Sequence, residues 1–113
     1  TLDAGLVVQP RNVLAQLEGA IHFGVSNALK ERISLSAGVV QQANYHDYPV
    51  LRMAEAPRIH GEIVASARAP TGCGEIGAMG VVPAIANAFA ARTGRRLRHL
   101  PFLPERVLAA LHD

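Results

Sequence analysis

Aromatic side chains make up only 4% of these 113 residues, and tryptophan is absent. With half the composition apolar, the core must be built from Ala, Val, Leu and Ile. Such small side chains favour close approach of helices and sheets over large aromatic anchors. A single cysteine, Cys73, excludes an internal disulfide framework and says little about compartment. The formal charge of +2 is too small to argue for nucleic acid. The run Arg92, Arg95, Arg96, Arg98 is the better basic patch, and it reads as a solvated helix end. No apolar stretch reaches membrane-spanning length, and no charged, apolar, cleavable leader opens the chain. The five histidines, His22, His46, His60, His99 and His112, lack metal-ligand spacing, so a local zinc site is not expected.

What is present amounts to one domain: enough chain for a modest core, too little for several cofactors. The chain starts at Thr1, without methionine, and runs straight into a strand-like segment, as an excised fragment would. Leu2 to Val8 reads as a short buried strand closed by Gln9-Pro10. A helix is expected from about Arg11 to Lys30, because Leu14, Leu17, Ile21, Val25 and Ala28 recur at helical spacing. Its second face carries Gln16, Ala20, Phe23 and Asn27, with Gly19 and Gly24 inside the helix. A solvated side would carry charges there, and internal glycines usually need a packing reason. The helix should therefore be covered on both sides, partly by something outside this chain.

Ile33 to Leu35 and Val39 to Gln41 flank Ser36-Ala37-Gly38 as a hairpin. Asn44 to Pro57 reads as a long structured connection, and His60 to Ala67 as another strand. A helix from about Val81 to Arg92 should end at Thr93-Gly94, where Gly can take the left-handed cap. Leu97 to Leu100 reads as a strand by pattern, and Glu105 to Leu111 as a last helix. The order of elements predicts an α+β domain with two main helices packed on a small mixed sheet.

The densest local signal is Pro70-Thr71-Gly72-Cys73-Gly74-Glu75-Ile76-Gly77. It contains G-x-G-x-x-G, yet Pro70-Thr71 separates it from the strand, and its helix is not expected before Gly80. The region near Arg95 is basic where a ribose-binding acid would stand, so a dinucleotide module is disfavoured. The glycines let a backbone come close to a ligand, and a helix N-terminus beyond them suits an anion. On these grounds alone Glu75 reads most simply as a carboxylate answering the helix dipole. The alternative is a general base held beside a cofactor. Cys73 between two glycines is a reactive thiol or a small residue in a tight place. His46-Asp47-Tyr48 reads as ordinary connection, since neighbours in extended chain point to opposite sides.

Two segments, in order, resemble a known family. Gln16-Leu17-Glu18-Gly19-Ala20 with Phe23-Gly24 resembles the Q-x-E-G-[GA] helix of xanthine dehydrogenase-type molybdenum hydroxylase large subunits. Gly72-Cys73-Gly74-Glu75 with Pro83-Ala84-Ile85-Ala86-Asn87-Ala88 resembles their G-x-G-E loop and the helix after it. The segments Asn44 to Met53 and Gly94 to Pro101 look most like the isoquinoline 1-oxidoreductase β-subunit branch.

The resemblance implies a C-terminal fragment, residues 1–113, of a molybdenum cofactor-binding domain. It implies hydroxylation of an N-heterocycle or an aldehyde with oxygen taken from water, with Glu75 as the base. Gln16, Gly72, Cys73 and Gly74 are implied as cofactor-binding, and no side chain as a metal ligand. The implied cofactor is molybdenum with molybdopterin cytosine dinucleotide, held by the complete subunit and not by this chain alone. The implied partners are the rest of the large subunit, a small iron–sulfur subunit and a small-molecule substrate, and no nucleic acid. Many relatives place Pro where this chain has Ile76, and family members are several times longer. A degenerate, non-catalytic domain that pairs with another subunit is the alternative. Compartment, substrate and electron acceptor lie outside these residues.

Overall fold

The computed structural model describes residues 1–112. Helix α1 spans Pro10–Leu29 and starts with proline in its first turn, where the missing amide proton has no intrahelical partner. A two-residue hairpin follows, β1 Leu35–Ser36 antiparallel to β2 Val39–Val40, with Leu35 opposite Val40. Ala37 and Gly38 both sit at positive φ, 49° and 79°, as the tight turn of a hairpin requires. Helix α2, Ile76–Met79, runs through Gly80 into α3, Val81–Thr93, and α4 spans Pro104–His112. Gly94 caps α3 at φ 72°, and its amide donates to the Ala90 carbonyl at 2.8 Å.

The α+β class and the two long helices hold, but three expected strands do not form as ladders. The first and second, Leu2 to Val8 and His60 to Ala67, lie alongside each other as extended chain. They share a single parallel bridge, Leu2 to Ile63. Leu2 donates to the Glu62 carbonyl and accepts from the Val64 amide, both at 2.8 Å. The pairing then breaks because Gly5 turns to φ 73°. A Cβ there would lie 2.3 Å from the Ala69 carbonyl oxygen, so only glycine fits. Asp3 braces the bend, accepting the Gly5 amide at 3.0 Å and pairing with Arg68. The third, Leu97 to Leu100, is a bend that delivers the buried Phe102, whose amide donates to the Ala28 carbonyl. The small sheet is thus a hairpin plus a bridge, and α1 packs over the bridged segments.

The core is small: Leu2, Ala4 and Leu17, with Val7, Val13, Ile21 and Cys73 packed around them. Exposed apolar side chains are many, including Leu35, Val39, Tyr45 and Met53. The surface of 8331 Å² exceeds the roughly 6,000 Å² expected of a monomer of this size. The radius of gyration, 17.1 Å, exceeds the about 13 Å of a closed domain.

The run Ile76–Thr93 corrects one expectation, since its 18 residues reach a mean hydropathy of 1.2, the length and composition of a span. Alanines and valines uninterrupted by charge until Arg92 produce that value. In the fold this run packs against α1.

Candidate functional site

The loop that carries Glu75 is fixed at three points. Upstream, the Thr71 amide donates to the Ala4 carbonyl at 2.9 Å. In the middle, the half-buried Cys73 packs on the Leu2, Ala4 and Leu17 cluster. Downstream, Gly77 lies flat on α1: a Cβ there would meet the Leu17 carbonyl oxygen at 2.9 Å and the Ala20 Cβ at 3.0 Å. Between these pins the loop is open. Gly72 has nothing within 4 Å of where a side chain would begin, and neither has Gly80 beyond the last pin. None of the loop glycines uses a left-handed backbone; positive φ among glycines is confined to Gly5, Gly38 and Gly94. At Gly72 and Gly80 the absent side chains leave free space beside the backbone.

Helix α2 begins directly after Glu75, earlier than the expected start at Gly80. The early start places Gly77 inside α2, where it seats on α1. Glu75 occupies the N-cap position, yet its side chain makes no capping hydrogen bond and is exposed. The dipole-answering role open to it on sequence grounds is therefore not taken up by a direct bond.

Gln16 is exposed on α1, and its Oε1 lies 3.9 Å from the Cβ position of Gly74, the residue next to Glu75. The structure thus brings Gln16 to Gly74 on the loop, and Glu75, the next residue, is exposed as Gln16 is. Cys73 stands apart: its side chain faces the core, leaving its backbone as its only group on the loop's open side.

The other candidates separate from this surface. Arg96, Arg98 and His99 line a pocket of about 420 Å³ with Arg106, whose guanidinium donates to the Leu100 and Pro101 carbonyls. Asp47 accepts the Ala43 and Asn44 amides at 2.9 Å, which holds its carboxyl below the usual range and makes it a turn-former. A groove of about 580 Å³ runs between α1 and the 48–56 connection, past His22, Phe23 and Tyr48. Its polar groups are engaged internally. His22 Nε2 faces the Pro57 carbonyl, Tyr48 donates to Glu31 at 2.8 Å, and Ser26 Oγ accepts the Leu51 amide.

Among the described residues no three His, Cys, Asp or Glu side chains come together as a metal site. A metal beside Glu75 would have to bring its own ligands. An organic cofactor that chelates its metal fits this surface, because Gly72, Gly74 and Gly80 leave free space along the loop and Gln16 offers an amide. The residue missed by sequence reasoning is Gly77, counted there only as the last glycine of a fingerprint. Its contact partners lie more than fifty residues away, and no local signal reveals them.

No protein-family model matches the chain. Among curated proteins it is 48% identical over 103 residues to the isoquinoline 1-oxidoreductase subunit beta of Brevundimonas diminuta, covering 91% of this chain and 13% of that protein. It is 40% identical to the membrane-bound aldehyde dehydrogenase (pyrroloquinoline-quinone) of Gluconacetobacter polyoxogenes, covering 99% of this chain and 14% of that one. It is 31% identical to the aldehyde oxidoreductase molybdenum-binding subunit PaoC of Escherichia coli, covering 97% and 16%. The fold matches the crystal structure of quinoline 2-oxidoreductase from Pseudomonas putida 86 at a TM-score of 0.87 and 20% identity, over 98% of this chain and 15% of that one. The chain spans a small part of each of these proteins. Its homologues are subunits of molybdenum hydroxylases, isoquinoline 1-oxidoreductase and the xanthine dehydrogenase family among them, and this chain corresponds to a small part of each.

Proposed function

We propose that this chain is one wall of the active site of a larger oxidoreductase that hydroxylates an N-heterocycle or an aldehyde with oxygen from water. The observation that supports the reading is the reach of Gln16 to the Gly74 position, next to the exposed and uncapped Glu75. A carboxylate that is exposed and, among the described residues, bonded to nothing is free to accept a proton from a reacting group brought by the rest of the protein. Gln16 supplies an amide that donates and accepts beside it. Gly72 and Gly74 permit backbone approach, and Cys73 contributes through its main chain.

The chemistry supplied by the bound group is two-electron oxidation at molybdenum, carried on a pterin of the cytosine dinucleotide form. One relative is named for pyrroloquinoline quinone. The molybdenum-binding relative favours molybdenum, and metal analysis of the parent protein decides. The parent pairs with a small iron–sulfur subunit that removes the electrons. Alone, the 113-residue chain binds no cofactor and turns over no substrate. The test is Glu75→Gln in the parent protein. Turnover should fall by at least about 10²-fold while molybdenum content is retained. Unchanged turnover would leave the non-catalytic, subunit-pairing reading in its place.

A further inference from the structure

We propose that Gly77 is a positioning residue: its seat on α1 sets the distance between Glu75 and Gln16, and so the placement of the base. This rests on the reading of Glu75 given above. Gln16 and Glu75 belong to separate elements, α1 and the loop before α2, so their separation depends on how closely the two helices approach.

That approach is fixed at two places. At Gly77 a Cβ would sit 2.9 Å from the Leu17 carbonyl oxygen, 3.0 Å from the Ala20 Cβ and 3.1 Å from the Ile21 Cγ1. At Gly24, two turns along α1, a Cβ would sit 2.8 Å from the Val81 Cγ2 and 2.9 Å from the Ala78 carbonyl oxygen. Two of these contacts are backbone oxygens, which cannot rotate away as a flexible side chain can. A methyl group at either glycine therefore moves a helix. The two seats differ in what they carry. Gly77 stands two residues after Glu75, and Leu17, its partner on α1, is the residue after Gln16. Gly24 holds the far end, against Val81 and the Ala78 carbonyl late in α2, with no contact to the residues beside Gln16 or Glu75. Both ends of the Gln16 to Glu75 span are thus anchored at Gly77.

The structure also says why the loop cannot absorb the change. It is pinned upstream at Thr71 and at Cys73, so lifting α2 tilts the Glu75 stretch away from α1. Catalytic placement is sensitive to such shifts, since a displacement of about 1 Å can cost roughly 10²-fold in rate.

The test compares Gly77→Ala, Gly24→Ala and the double variant Gly77→Ala with Ala20→Gly, each in the parent protein. The readouts are kcat, KM, thermal midpoint and molybdenum content, with the pH profile of kcat. The expected result is a fall in kcat of roughly 10²-fold for Gly77→Ala, with KM and metal content kept and the acid limb of the pH profile displaced. Gly24→Ala should lower the thermal midpoint as much while sparing most of kcat. Ala20→Gly, which removes one of the three contacts, should restore part of the loss. Equal kcat losses in Gly77→Ala and Gly24→Ala, tracking their thermal midpoints, would reduce Gly77 to ordinary packing. Glu75→Gln separates the two claims: full turnover there defeats the functional reading, whereas its loss beside an intact Gly77→Ala defeats only the positioning role.

Discussion

Helix α1 has two faces of opposite character. One carries Leu17, Ala20, Gly24, Val25 and Ala28, all buried, and closes against α2, α3 and the bridged segments at Leu2 and Ile63. The other carries Gln16, Gly19 and Phe23, all exposed, with Phe23 64% accessible. The first face uses small residues to fix distances within the chain. The second offers an amide, a bare backbone and an aromatic ring to something the chain does not contain. A helix designed only for stability would not leave glycine and phenylalanine in water. The contrast separates what holds this chain together from what, in the function proposed, it presents to the rest of a larger protein.

The closed face should be the costly one to disturb. Leu17→Ala opens a hole beneath Leu2, Ala4 and Cys73 and should destabilise the 113-residue chain by about 3 kcal/mol, measured by denaturant titration. Gly24→Ala overpacks the same face and should cost about 1–3 kcal/mol by the same measurement. On the open face the sign should reverse. Gly19 has nothing within 4 Å of its Cβ position, so Gly19→Ala should stabilise the isolated chain by about 1 kcal/mol through helix propensity. In the parent protein that gain should vanish or turn to a loss if another segment lies against this face. A gain of equal size in both would break the contrast.

The smallest effect expected is in acid. Asp3 is held below its ordinary value of 3.8 by the Gly5 amide and then by Arg68, and Glu55 below 4.5 by Lys30 and the Arg52 amide. A depressed folded-state value means that these contributions are complete above the ordinary value and are lost as pH falls through the folded one. Both groups are solvent-exposed and screened. The thermal midpoint should therefore be flat from pH 7 to about pH 5 and decline modestly below about pH 4, and Asp3→Asn should reduce that decline.

Much of the helical framework was legible before the fold. Leu14, Leu17, Ile21, Val25 and Ala28 mark α1 by period, and Thr93-Gly94 marks the end of α3. Both are local signals that tertiary packing reinforces. The strands were misjudged because their apolar alternation does not record Gly5, whose left-handed turn is imposed by a carbonyl 64 residues away. The start of α2 was missed for the same reason, since the seat of Gly77 depends on α1. At the site, local physics favoured a bland role for Glu75. Only the resemblance, through two motifs in order, tied it to Gln16. The fold adds that Gln16 reaches Gly74, the neighbour of Glu75, and that the Cys73 side chain packs on the core.

The central claim is that Gln16 and Glu75 together face one bound group. The most direct measurement is a structure of the parent protein with its native cofactor. The account predicts the Glu75 carboxylate and the Gln16 amide on the same side of the cofactor, both within hydrogen-bonding reach of it or of a bound substrate analogue. Either side chain turned away from the cofactor, or buried against another subunit, would contradict it.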